Sequence, residues 1–171
     1  MTLQEALKEQ YHAGIAMLRD CVEKCPDDLW LSGTYPRTFW RIAFHAIYFT
    51  QLYLGQTDDA FEPWPGRPQG GAELWETPRS VEPYELSEEF VPYTKAQLLD
   101  YIAYVDSLLD PTVDALDLEA LETGIPWYKN MTKLSHELLN LRHLQGHVGQ
   151  LSELLMIRGI DTNWIGKVRH P

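Results

Sequence analysis

The 171-residue chain has only two cysteines, Cys21 and Cys25. Two thiols in a chain of this size make no disulfide framework. Their Cys-x3-Cys spacing is not the two-residue spacing of a redox motif or a zinc knuckle. Both suit a helical stretch as small core or helix-end residues. Long apolar runs are missing too. The longest stretch free of Asp, Glu, Lys and Arg, residues 42–57, contains His45, Gln51 and Gln56. It falls short of the ~20 residues that a membrane helix needs. At the N-terminus, Met-Thr-Leu-Gln-Glu-Ala-Leu-Lys-Glu carries charge where a signal peptide would be apolar. These absences point to a cytoplasmic protein with no membrane partner.

Basic runs are absent as well. Against 25 acidic residues stand 14 Lys and Arg, giving a net charge of −11. Such a chain repels nucleic acid, which is itself anionic, so no nucleic-acid partner is expected. The acidity is uneven. Residues 56–92 hold nine acidic residues against Arg67 and Arg79, a net of −7 out of the −11. The chain also has no glycine-rich phosphate loop, no Gly-x-Ser-x-Gly elbow and no strand alternation.

What is present is helical periodicity over the length of one domain, residues 1–171. Leu3, Leu7, Ile15, Leu18 and Val22 follow three- and four-residue spacing from an N-cap at Thr2, and Pro26 closes that helix. A second helix is expected from Thr38 to Gly55, carrying Phe39, Ile42, Phe49 and Leu52. A third opens at Thr94; Asp110-Pro111 is expected to break or bend it, with a short continuation over 113–121. The fourth runs from Thr132 to Arg158 and stops at Gly159. The fold class is therefore all-α, a four-helix bundle with a long irregular crossover between helices 2 and 3.

That crossover, residues 56–92, holds six of the eleven prolines together with Trp64 and Trp75. Loops this long in compact domains are usually lids, binding loops or linkers, and the aromatics argue against a free linker. It is expected to pack across one end of the bundle, with a short helix near Glu85–Phe90.

Of six histidines, three lie on the fourth helix. At ~100° per residue, His136, His143 and His147 share one stripe with Asn140, Gln150 and Leu154. An apolar sector of Leu134, Leu138, Leu141, Leu144, Val148, Leu151 and Leu155 lies beside it, with Glu137 unexplained inside it. Polar side chains beside a core are costly unless each finds a partner, and a metal ion is one such partner.

Histidines at i and i+4 bring two imidazole nitrogens onto one ion. A third ligand should come from another helix, and His45, midway along the second, is the natural candidate. Three neutral imidazoles would leave coordination positions open for water or substrate. Histidines satisfied only by hydrogen bonds stay open as the bland alternative. No His-Glu-x-x-His exists, which speaks against a zincin protease. The single Glu-x-x-His, Glu9 to His12, is one copy where a di-iron bundle needs two, so it reads as chance on a solvated face.

His45 on the second helix, a long crossover, and then His143-Leu-Gln-Gly-His147-Val-Gly149-Gln150 on the last long helix resemble the DinB/YfiT-like metalloenzyme family. Asn163-Trp164-Ile165-Gly166 is similar to tails seen in such proteins. The resemblance runs from the first helix to Arg158. It implies a three-histidine site, His45, His143 and His147, for a divalent ion such as zinc or nickel at one end of the bundle. It also implies a small-molecule substrate, transferases and isomerases using low-molecular-weight thiols such as bacillithiol or mycothiol, and frequent homodimers. His136 is not part of that signature. Hydrolysis of a small substrate, or a metal kept only for stability or sensing, are the alternatives. Arg41, one turn before His45, and His136 are weaker candidates for support of the ligands or substrate contact.

Overall fold

The computed structural model describes residues 1–67, 86 and 88–168. Among these residues the structure is all-helical, with no strand. Four long helices form the bundle: α1 (Leu3–Lys24), α3 (Phe39–Leu54), α4 (Lys95–Asp114) and α5 (Lys133–Met156). A single turn, α2 (Asp27–Trp30), and a 3-10 turn at Asp58–Ala60 complete the helical elements. Neither short turn has enough residues to print a period on the sequence.

Local chemistry starts the helices where expected. Thr2 and Thr94 form capping boxes with Glu5 and Gln97, each pair satisfying two otherwise orphaned N–H groups. The Thr132 hydroxyl accepts from Ser135 N–H, whereas Thr38 caps α3 with no side-chain bond. Beyond the end of α5, Gly159 takes a left-handed φ of 73°, and the Ile160 N–H turns back to the Leu155 carbonyl.

The third helix corrects the sequence reading. Pro111 lies inside α4, which continues to Asp114, and residues 115–121 form turns and irregular backbone instead of a continuing helix. Proline removes one ladder bond, and so near a helix end only about one turn remains to be lost. Of the expected helix near Glu85–Phe90, residues 85 and 87 lie outside the described residues, and Glu88 and Glu89 form a turn. Whether residues 56–92 act as a lid falls largely outside them as well.

In the bundle α1 packs on α4 and α5, and α3 packs on the same two helices from the opposite corner. α1 and α5 approach closely at Gly14, where a Cβ would sit 2.8 Å from Leu144 Cδ2. The core is aromatic toward α3 and α4: Phe44 stacks on Tyr93 at 4.9 Å and Trp64 on Tyr101 at 5.0 Å. Both ends of the crossover are thus tied to the bundle by rings. No helix is long and apolar enough to cross a membrane, among the described residues.

The expected apolar sector of α5 is buried at Leu144, Val148, Leu151 and Leu155, and polar residues share the buried face toward its N-terminal half. Leu138 is 55% exposed, whereas Lys133, His136, Glu137 and Asn140 are fully buried. The interhelical face is therefore partly polar, and each of those groups has to be accounted for.

Candidate metal centre

α3 presents His45 and α5 presents His143 and His147, from positions 98 and 102 residues further along the chain. Their side chains converge. His143 Nε2 stands 3.2 Å from His45 Nε2 and 3.1 Å from His147 Nε2. Nitrogens bound at ~2.0–2.1 Å to one tetrahedral ion lie about 3.3–3.4 Å apart, so the observed spacing suits a shared cation. One imidazole nitrogen cannot satisfy two others by hydrogen bonding at once, since it carries either one proton or one lone pair. A cation accepts all three lone pairs. The donor set therefore fits a divalent metal ion. No other group of three His, Cys, Asp or Glu side chains converges this way among the described residues.

All three histidines are half-buried. Burial, reinforced by the neighbouring imidazoles of His147 and His45, pulls the His143 pKa down to about 3. It is therefore neutral at physiological pH, the form that ligates. The cluster lies against aromatic rings on α3: Phe49 is 4.5 Å from His45 and 5.7 Å from His143, and Tyr53 is 6.2 Å from His143. Trp127, 38% exposed, packs beside Tyr53 and Tyr128.

Gln150, a member of the histidine stripe and the last residue of the His143–Gln150 motif, has a specific place. Its Oε1 accepts from His147 Nδ1 at 2.8 Å, which fixes the proton on Nδ1 and leaves Nε2 free to ligate. An amide three residues after a histidine is a legible signal once the ligand itself is known.

His136 does not join the triad. It is fully buried, with its ring between Tyr53 and Tyr128 at 5.0 and 5.1 Å. Neither of its nitrogens has a hydrogen-bond partner, and burial, with Lys133 nearby, lowers its pKa to about 4. Arg41 is buried too. It donates to the Leu86 and Glu88 carbonyls and lies 4.8 Å from the Tyr35 and Trp40 rings, so it holds the far end of the crossover.

Glu137 now has its explanation. Tyr11 on α1 donates to Glu137 Oε2 at 2.6 Å, and Lys133 Nζ lies 3.1 Å from Oε1. Lys133 also donates to the Gly55 carbonyl at the end of α3, where a cation suits the helix dipole. Burial pushes the Glu137 carboxyl up to about 7, while Lys133 and Tyr11 act against the shift. Three helices are pinned through one internal ion pair.

His12 is a second correction. It is not on a solvated face but buried between α1 and α4, with Nδ1 2.8 Å from Asp106 and Nε2 3.0 Å from Asp110. Burial works against its charge, yet the two carboxylates prevail and raise its pKa. Cys21 and Cys25 are buried free thiols, and burial raises both, Cys25 to about 11, so neither is an activated nucleophile.

Comparison with protein-family models, curated proteins and solved structures finds no match. The functional reading therefore rests on the chain's own residues.

Proposed function

We propose that this chain is a metal-dependent enzyme of the DinB/YfiT-like kind, using His45, His143 and His147 to act on a small electrophile with a low-molecular-weight thiol. The observation that carries the proposal is the convergence of three Nε2 atoms, two pairs at 3.2 and 3.1 Å, from two helices. The order of the ligands along the chain and the all-helical bundle support the same family reading.

A divalent ion on these nitrogens would supply a Lewis acid that favours the thiolate of a bound thiol and equally lowers the pKa of bound water. The chain's own residues do the rest. Three protein ligands leave room for an exogenous one. Gln150 holds His147 in the ligating tautomer. Phe49 and Tyr53 exclude water from one side of the cluster, strengthening electrostatic interactions within it. Trp127, 38% exposed and backed by Tyr53 and Tyr128, offers an aromatic face for the organic part of a substrate.

The proposed net reaction joins the thiol sulfur to the electrophilic carbon, breaks that carbon's bond to its leaving group, and releases the thiol proton with that group. The test is a panel of small electrophiles incubated with zinc- or nickel-loaded protein, with and without a low-molecular-weight thiol. Thiol-dependent product formation that is lost in His147→Ala supports the transferase. Product formation that ignores the thiol converts the reading to hydrolysis, and no turnover with metal bound leaves a stabilising ion.

A further inference from the structure

With His143 Nε2 turned toward His45 and His147, its other ring nitrogen points away from the cluster, and that Nδ1 is buried without a partner. A buried N–H in this situation is costly, and metal-bound imidazoles as a rule give their second N–H to an acceptor that fixes the ring. One turn back on the same helix stands Asn140, fully buried, whose Oδ1 is likewise without a partner. Residues three apart on a helix are neighbours.

The orientation of the Asn140 amide is decided by what its other end touches. Nδ2 lies 3.1 Å from the Thr50 carbonyl on α3, and since neither that carbonyl nor the amide oxygen can donate, the amide's N–H end faces Thr50 and its oxygen faces the other way. His147 already shows the pattern, its Nδ1 bound to a side-chain amide oxygen three residues along, at Gln150. The two ligands of α5 thus each have an amide three positions away, one on either side along the helix.

We propose that Asn140 is the positioning residue for His143: its Oδ1 accepts the His143 Nδ1 proton through one buried water, or directly once a small side-chain rotation closes the gap between the two partnerless atoms. The inference rests on the metal reading above. It assigns a job to a core asparagine that would otherwise leave an acceptor unsatisfied. Because Asn140 is tied to Thr50, five residues beyond His45 on α3, one side chain also couples the ligand on α5 to the helix that supplies the third ligand.

Cobalt-substituted full-length protein tests this. Each imidazole bound through Nε2 has an Nδ1–H whose hyperfine-shifted proton signal persists only while a hydrogen bond slows exchange with water. The wild type is expected to show such a signal for His143, identified by its loss in His143→Ala. Asn140→Ala is expected to lose that signal while keeping the His147 one, and to bind cobalt about 10- to 100-fold more weakly. Asn140→Asp keeps an acceptor oxygen and is expected to retain the signal. It also serves if the alanine variant fails to fold. An unchanged His143 signal in Asn140→Ala, or its loss in both variants alike, overturns the assignment. A wild type that takes up no cobalt overturns the metal reading and this inference with it; uptake with indifference to residue 140 overturns this inference alone.

Discussion

Lys133 and Glu137 show what one buried residue is asked to do. Each is fully buried, and the pair keeps further polar partners in the Tyr11 hydroxyl, which donates to Glu137, and the Gly55 carbonyl, which accepts from Lys133. Removing one partner leaves the other uncompensated. Lys133→Met should lower unfolding free energy by about 3–5 kcal/mol in urea titration, whereas a well-packed replacement of both partners should recover much of it. His12 gives the pH-dependent counterpart. Its folded pKa lies above the ordinary 6.5, so the two carboxylates stabilise the fold fully below about pH 6.5. That contribution fades as pH rises through the raised value. The stability difference between wild type and His12→Ala should therefore shrink on going from mildly acidic to alkaline conditions, checked by denaturant titration across that range; a difference that grows would contradict the pairing.

At the scale of the element, the helix starts are local statements and were legible as such. Thr2, Thr94 and Thr132 each precede a periodic run and each cap it. Thr94→Ala should cost about 1 kcal/mol, with Asn at the same position nearly neutral, measured as a shift in the urea midpoint. The candidate ligands were legible for a similar reason, because i, i+4 spacing on one helix is a sequence property. That His45 meets them depends on how α3 and α5 pack, which no spacing encodes.

What stayed hidden was mostly long-range. Tyr11 reaches Glu137 across 126 positions, so a carboxylate in an apolar sector had no visible partner. His12 looked solvated for lack of Asp106 and Asp110, 94 and 98 positions away. Leu138 passed for core because periodicity reports an apolar stripe and not which side of it meets a neighbour. Pro111 points in the other direction, since a helix-breaker three residues from the end of α4 costs little. The close approach at Gly14 is likewise a matter of packing. Gly14→Leu should destabilise by about 1–3 kcal/mol through overpacking against Leu144, read from thermal and urea unfolding together.

For the whole molecule, an ion bound at the three histidines would be linked to the fold. The ligands come from two helices that pack against each other, so an ion held between them binds the folded chain in preference to the unfolded one. At a free metal concentration about 100-fold above the dissociation constant, this adds about 2.7 kcal/mol to stability. The melting temperature should rise with zinc, fall with chelator, and respond to neither in His143→Ala. Acid should weaken the effect, because protons compete for the same nitrogens. Most of the net −11 lies in residues 56–92, and Glu62, Glu88 and Glu89 are among the described acidic residues of that segment.

The central claim, that His45, His143 and His147 hold a divalent ion, is met most directly by elemental analysis of protein purified anaerobically without chelator. Wild-type protein is expected to carry about one zinc or nickel per chain, and His143→Ala almost none. Equal and negligible metal in both proteins, under conditions where both are folded by circular dichroism, would contradict it.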